Sequence, residues 1–141
     1  MRYVTRERLH VDRIATAWAI RRFVDPEATF SFVPRERDPQ RLDAIAFDIR
    51  GAELSHRAGR CTFEVLLETR GLADPALARM AAIVHGADLP HGNDAPTESA
   101  GVEAVFDGIR DSELSDGDRL ARGSAVCEAL YAYCGGGSAR R

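Results

Sequence analysis

Residues 2–34, RYVTRERLHVDRIATAWAIRRFVDPEATFSFVP, decide the fold. RYVT at 2–5 reads as a short strand, because β-branched and aromatic residues make up three of its four positions. Asp12 then stands as a helix N-cap, and Ile14, Ala17, Trp18 and Ile20 supply apolar anchors for a helix through Val24. Asp25 and Pro26 end that helix, since proline has no N–H for the hydrogen-bond ladder. ATFSFVP at 28–34 is rich in β-formers and closes at a proline, so it reads as a second strand. Strand, helix, strand in this order implies a right-handed crossover and a parallel pair.

Working outward from this unit, AIAFDI at 44–49 reads as a third strand, and AELSH at 52–56 as a fourth, edge strand after Gly51. From Cys61 onward the pattern turns helical. CTFEVLLETR ends at Gly71 and Leu72, the glycine and following apolar residue of a Schellman ending. Asp74 and Pro75 are N-cap and first residue of the next helix, which Gly86 ends just after His85. ADLPHGNDAPT then reads as a polar loop that carries Asp88 and His91. A further helix starts near Thr97, with Val102, Val105, Phe106 and Ile109 along one stripe. The last opens between Ser115 and Asp118 and carries Leu120, Cys127, Leu130, Tyr131 and Cys134 on one side. The expectation is an α/β or α+β fold: a small sheet of three to four strands in the N-terminal half, with a βαβ start, followed by four helices. Residues 3–134 form one domain and 135–141 a flexible tail.

Composition narrows the function classes. A chain of 141 residues with 45% hydrophobic and 29% charged residues suits one soluble globular domain. A net charge of -3 argues against nucleic-acid binding through bulk electrostatics. No run approaches the roughly 18 apolar residues of a membrane span. MRYVTRERLH lacks the apolar centre of a secretory signal, which points to the cytoplasm. Cys127 and Cys134, seven positions apart on one expected helix, lie about 10 Å apart, too far to bridge, so reduced thiols are expected.

Three constellations carry chemistry. SHRAGRCTFEVLLE at 55–68 holds His56, Cys61 and Glu64, with Cys61 and Glu64 on one face of a helix start. A helical hairpin through RGLADP brings this start to His85 and Asp88 at the far end of the next helix. Imidazole, thiolate and carboxylate together suit a transition metal, zinc, iron or manganese, although no spacing here is an established metal signature. Cys61 also reads as a redox thiol, because a helix N-terminus beside Arg57 and Arg60 lowers a thiol pKa. Against both stands the plainer reading of helix caps and a buried cysteine. In TRERLHVDR at 5–13, Arg6 and Arg13 can fork onto an oxyanion where a strand gives way to a helix, or pair internally with Asp12. Asp48, a carboxylate in an apolar strand, points to a ligand or to an arginine such as Arg13.

The stretches YVTRERLHVDRIATAWAIRRFVDPEATFSFVP, AFDIRGAELSHRAGRCTFEVLLETRGLADPAL and IVHGADL resemble the C-terminal domain family of the chromate-resistance protein ChrB, over most of the chain from about Tyr3 to Tyr133. The resemblance implies a role in bacterial chromate resistance, and a site drawn from Thr5, Arg6, Asp12, Arg13, Trp18, Asp48, His56, Cys61, Glu64 and Asp88. It also implies two departures. Thr16 and Ala17 stand where many relatives have Cys-Pro, and His85 stands where some have arginine. The N-terminal extension of full-length regulators is absent from this sequence, so DNA binding is not expected of this domain.

Three functional readings therefore stand. One is a metal-binding sensor or auxiliary metalloprotein, with ligands among His56, Glu64, Asp88, His85 and Cys61 and support from Asp12 and Asp48. The second is a metal-free module that binds a small oxyanion such as chromate on Arg6 and Arg13, with Cys61 oxidisable. The third is a structural or interaction module. The sequence leaves room for a homodimer in each case.

Overall fold

The computed structural model describes residues 1–35, 43–89 and 94–137. His91 and the polar connection at 36–42 lie outside the described residues. Strand β1 (Arg2–Arg6) is the centre of a three-stranded parallel sheet, flanked by β2 (Thr29–Val33) and β3 (Ile45–Ala46). Helix α1 (Val11–Ala19) makes the crossover from β1 to β2, as the order of apolar segments requires. It ends in a π-helical turn, Ile20–Val24, closed by a bond from the Asp25 amide to the Ile20 carbonyl at 2.7 Å.

The expected fourth strand is reduced to a single bridge between Phe47 and Leu54. The reason is local: Asp48 and Gly51 both have positive φ, 51° and 87°, which turns the chain out of the extended region. Four helices follow the sheet: α2 (Thr62–Thr69), α3 (Pro75–Asp88), α4 (Glu98–Asp111) and α5 (Asp116–Tyr133). With α1 the described residues hold five α-helices, against the four expected after the sheet.

Most helix ends fall where the sequence places them. The amide of Leu72 bonds the Leu67 carbonyl and that of Gly71 bonds Glu68, the Schellman pair that ends α2. Asp74 accepts from the Ala76 amide and Ser115 from the Asp118 amide, capping α3 and α5. Two expectations are corrected. Asp12 is not the cap of its own helix: His10 holds that position, and the Asp12 side chain reaches across to α2. Gly86 does not end α3, which runs on to Asp88. That glycine is a packing residue instead, since a Cβ there would collide with the Ser99 side chain and sit 3.0 Å from the Ala95 Cβ.

Helix α1 is buried on nearly every side and packs against helices α2, α3, α4 and α5. Tyr3, Phe30 and Phe47 pack as an aromatic group with ring centroids 5.7–6.5 Å apart. Trp18, Phe23 and Tyr131 form a second group at the α5 side. Past α5, the amides of Gly135 and Gly136 bond back to Ala132 and Tyr131, so the start of the expected tail is anchored. Among the described residues no helix is long and apolar enough to cross a membrane.

The Gly86 contact has a measurable consequence. Gly86→Ala gains about 1 kcal/mol of helix propensity, yet it must displace Ser99, whose hydroxyl is buried and bonds the Ile83 carbonyl at 2.8 Å. Overpacking of this kind costs about 1–3 kcal/mol, so urea unfolding should show Gly86→Ala less stable than the parent chain.

Candidate functional site

The first turn of α2 organises the site. Its free amides at Thr62 and Phe63 donate to Asp12 Oδ2 and Oδ1, each at 2.9 Å. Asp12 is only 2% exposed, so these are buried charge-assisted bonds that also place a negative charge at the positive end of the helix. The same Oδ2 lies 2.9 Å from His56 Nε2. Asp48 approaches from the strained turn after β3. Its Oδ1 accepts from the Thr62 hydroxyl at 2.9 Å, and its Oδ2 lies 3.1 Å from Arg13 Nε. Asp88, in the last turn of α3, brings Oδ2 within 3.3 Å of His56 Nε2. That oxygen is buried and, beyond this ion-pair contact, has no hydrogen-bond partner among the described residues. Three carboxylates thus converge on one imidazole, and Asp48 and His56 open onto a cleft of about 400 Å³ with Ile49, Arg50, Gly51 and Ser55.

Crowding shows in the acidities. Burial first, then the charge of Asp12, pushes Asp48 up to about 6. Burial, then the charges of Asp12 and Asp48, pushes Asp88 up to about 7. The bond to Asp12, reinforced by the charges of Asp12, Asp48 and Asp88, holds the His56 imidazolium up to about 9.

A second group sits beside the first. Cys61 is the N-cap of α2, and Glu64 Oε1 reaches back to accept from the Cys61 amide at 3.0 Å. The same oxygen accepts from His85 Nδ1 at 2.6 Å. The hairpin expected from the sequence therefore does bring Cys61 and Glu64 to His85. It takes Asp88 elsewhere, to His56, so one expected cluster becomes two: Asp12, Asp48, His56 and Asp88 in one, Cys61, Glu64 and His85 in the other.

The thiol expectation reverses. Cys61 is fully buried, and burial followed by the charges of Asp12 and Glu64 pushes its pKa far up rather than down. The neighbouring arginines do not offset this, because Arg60 pairs with Glu68 and Arg57 bonds the Glu53 carbonyl at 2.6 Å. All three cysteines are free and buried. Arg6 and Arg13 have different partners: Arg6 Nη1 bonds the Pro34 carbonyl at 2.7 Å, and Arg13 is held by the side chain and carbonyl of Asp48. Sequence reading gave Asp12 and Asp48 only supporting parts and missed Thr62, whose amide and hydroxyl tie both aspartates to α2. A threonine just after the cap was the available signal.

A family model described as the C-terminal domain of ChrB matches residues 3–134. The chain belongs to the ChrB C-terminal domain family. It is 41% identical to Protein ChrB of Cupriavidus metallidurans over 133 residues, 93% of this chain and 40% of that protein. This ChrB C-terminal domain thus spans well under half the length of that curated relative. No solved structure matches the chain.

The crowded carboxylates dictate a pH profile. Folded Asp48 and Asp88 keep their protons up to about 6 and about 7, whereas the unfolded groups ionise near 3.8. The folded chain therefore binds more protons across that window, and stability falls as pH rises through it. The raised His56 value adds stability that is complete below about 6.5 and lost as pH rises through about 9. With a chelator present, denaturation midpoints should decline from about pH 4 to about pH 9. Asp88→Asn should flatten the acidic part of that decline.

Proposed function

We propose that this ChrB-family domain is a metal-binding module of bacterial chromate resistance, acting as a sensor or auxiliary metalloprotein. The cation is held by Asp48, His56 and Asp88, with Asp12 as a further oxygen donor. The observation that carries this reading is the convergence of three carboxylates on one imidazole, with a buried Asp88 oxygen that has no hydrogen-bond partner among the described residues. A buried acceptor without a donor costs about 1–3 kcal/mol, and a divalent cation satisfies it directly. An oxygen-rich set with one imidazole suits manganese, iron(II) or zinc.

Charge supports a cation over an oxyanion. Asp12 and Asp48 match the charges of His56 and Arg13, and above about pH 7 the ionised Asp88 leaves the cluster net negative, which repels a dianion such as chromate. Arg13, the cation that an oxyanion would need, already carries Asp48. Binding here would tie α1, the turn after β3 and α3 to one ion, so that occupancy bears on how these elements pack. That is the property a sensor needs.

Manganese(II) is the probe that tests this site, because it prefers oxygen and imidazole donors to thiolate. The parent chain should bind about one equivalent, and manganese at about 100 times its Kd should add about 2.7 kcal/mol to unfolding stability. Asp88→Asn and His56→Gln should abolish that gain while retaining the fold by circular dichroism. A parent chain that binds none of manganese, iron or zinc sinks the reading.

A further inference from the structure

Cys61, Glu64 and His85 are accounted for only in part by the helix ends they occupy. Glu64 caps the start of α2, and His85 complements the end of α3. Neither role calls for a thiol at position 61. An N-cap is normally serine, threonine, aspartate or asparagine, whose oxygens accept amide bonds well, and sulfur is a weak acceptor. What the thiol adds is a soft donor, buried beside a carboxylate and an imidazole.

The spacing of the donors is that of a coordination shell. One ligand atom from each of Cys61, Glu64 and His85 lies within 4.8 Å of the other two. His85 Nδ1 and Glu64 Oε1 are 2.6 Å apart, joined by the proton of their hydrogen bond. A cation in the place of that proton spreads the two atoms to about 3.3 Å, the edge of a tetrahedron with bonds of about 2.05 Å. Glu64 is 26% and His85 33% exposed, while the thiol is closed off from solvent. Glu64 and His85 line a cleft of about 330 Å³ with Ala82, Gly86, Asp94, Ala95 and Pro96. That cleft gives an ion a path in and leaves room for a fourth ligand, water or Asp94. The group shares no residue with the Asp12, Asp48, His56 and Asp88 cluster.

We propose that Cys61, Glu64 and His85 form a second, separate metal site for a thiophilic divalent cation of the zinc class, with three protein ligands and one exchangeable position facing the cleft. Binding releases the thiol proton to solvent and clears Nδ1 of His85, whose proton passes to Nε2 in a neutral ring or to solvent from an imidazolium, so that thiolate and neutral imidazole face the metal. Sulfur, nitrogen and oxygen donors in a three-ligand set are the chemistry of zinc sites that keep an open position, and they differ in kind from the oxygen-rich cluster beside them.

Cobalt(II), a spectroscopic stand-in for zinc, separates the two sites. Titrated into the reduced full chain, it should give a thiolate-to-cobalt charge-transfer band with the intense visible bands of tetrahedral coordination, and zinc should displace it. Cys61→Ser, which keeps a good N-cap, should abolish the charge-transfer band. His85→Gln should keep the band but weaken cobalt affinity by more than about 100-fold, beyond the 10–100-fold cost of losing a supporting residue. Asp88→Asn should leave band and affinity unchanged while losing the manganese site. The proposal is overturned by a parent chain without the band at saturating cobalt. It is also overturned by a band that survives in Cys61→Ser, since the thiolate is then Cys127 or Cys134. Manganese binding retained in either case leaves the oxygen-rich site standing, so the two readings fail separately.

Discussion

The Asp12 carboxylate is the tie on which the rest of the site depends. It lies in α1 but satisfies the first amides of α2, fifty positions further along the chain. Without it two buried N–H groups are left without partners, at about 1–3 kcal/mol each, and the start of α2 loses its opposing charge. From this tie the other positions follow. Thr62, held by its amide, turns its hydroxyl to Asp48. Cys61 and Glu64, one residue before it and two after, face His85 across the hairpin. His56 bonds the second lone pair of the same oxygen that receives Thr62.

Two chemically distinct donor sets therefore share one helix start. On one side lie three carboxylates and an imidazole, with Arg13 as the countercharge. On the other are a thiol, a carboxylate and an imidazole. Asp12 lies close enough to raise the Cys61 pKa as well as that of His56, so this one carboxylate bears on both sets. Helix α2 is short, eight residues, and its start is built almost wholly from these contacts.

Local signals in the sequence were enough for most of the elements. The βαβ opening, the Schellman glycine at 71, the Asp74 and Pro75 start and the Ser115 cap all depend on residues within one turn of one another, and each is found as read. The hairpin pairing of Glu64 with His85 was legible for the same reason, since a short connection fixes which helix ends meet. What failed was whatever depends on distant partners. Asp12 looks like a local cap because aspartate before an apolar run usually is one, and its true partner lies in another helix. Gly86 looks like a helix end, yet α4 packs against it so closely that no side chain fits. Asp88 follows from that error: with the helix continuing past Gly86, its carboxylate turns toward His56 rather than Glu64.

The reach of the Asp12 bonds has a consequence for how the molecule is made. Contacts spanning 44 and 50 positions carry the entropy cost of closing long loops, a cost that the strands and crossover between them help to meet. Asp88 lies further along still. The oxygen-rich cluster thus belongs to the tertiary topology and to no single local segment. Any ligand of this cluster would meet donors that come together only in the folded chain, unlike the metal of a zinc finger, whose binding is itself the folding free energy.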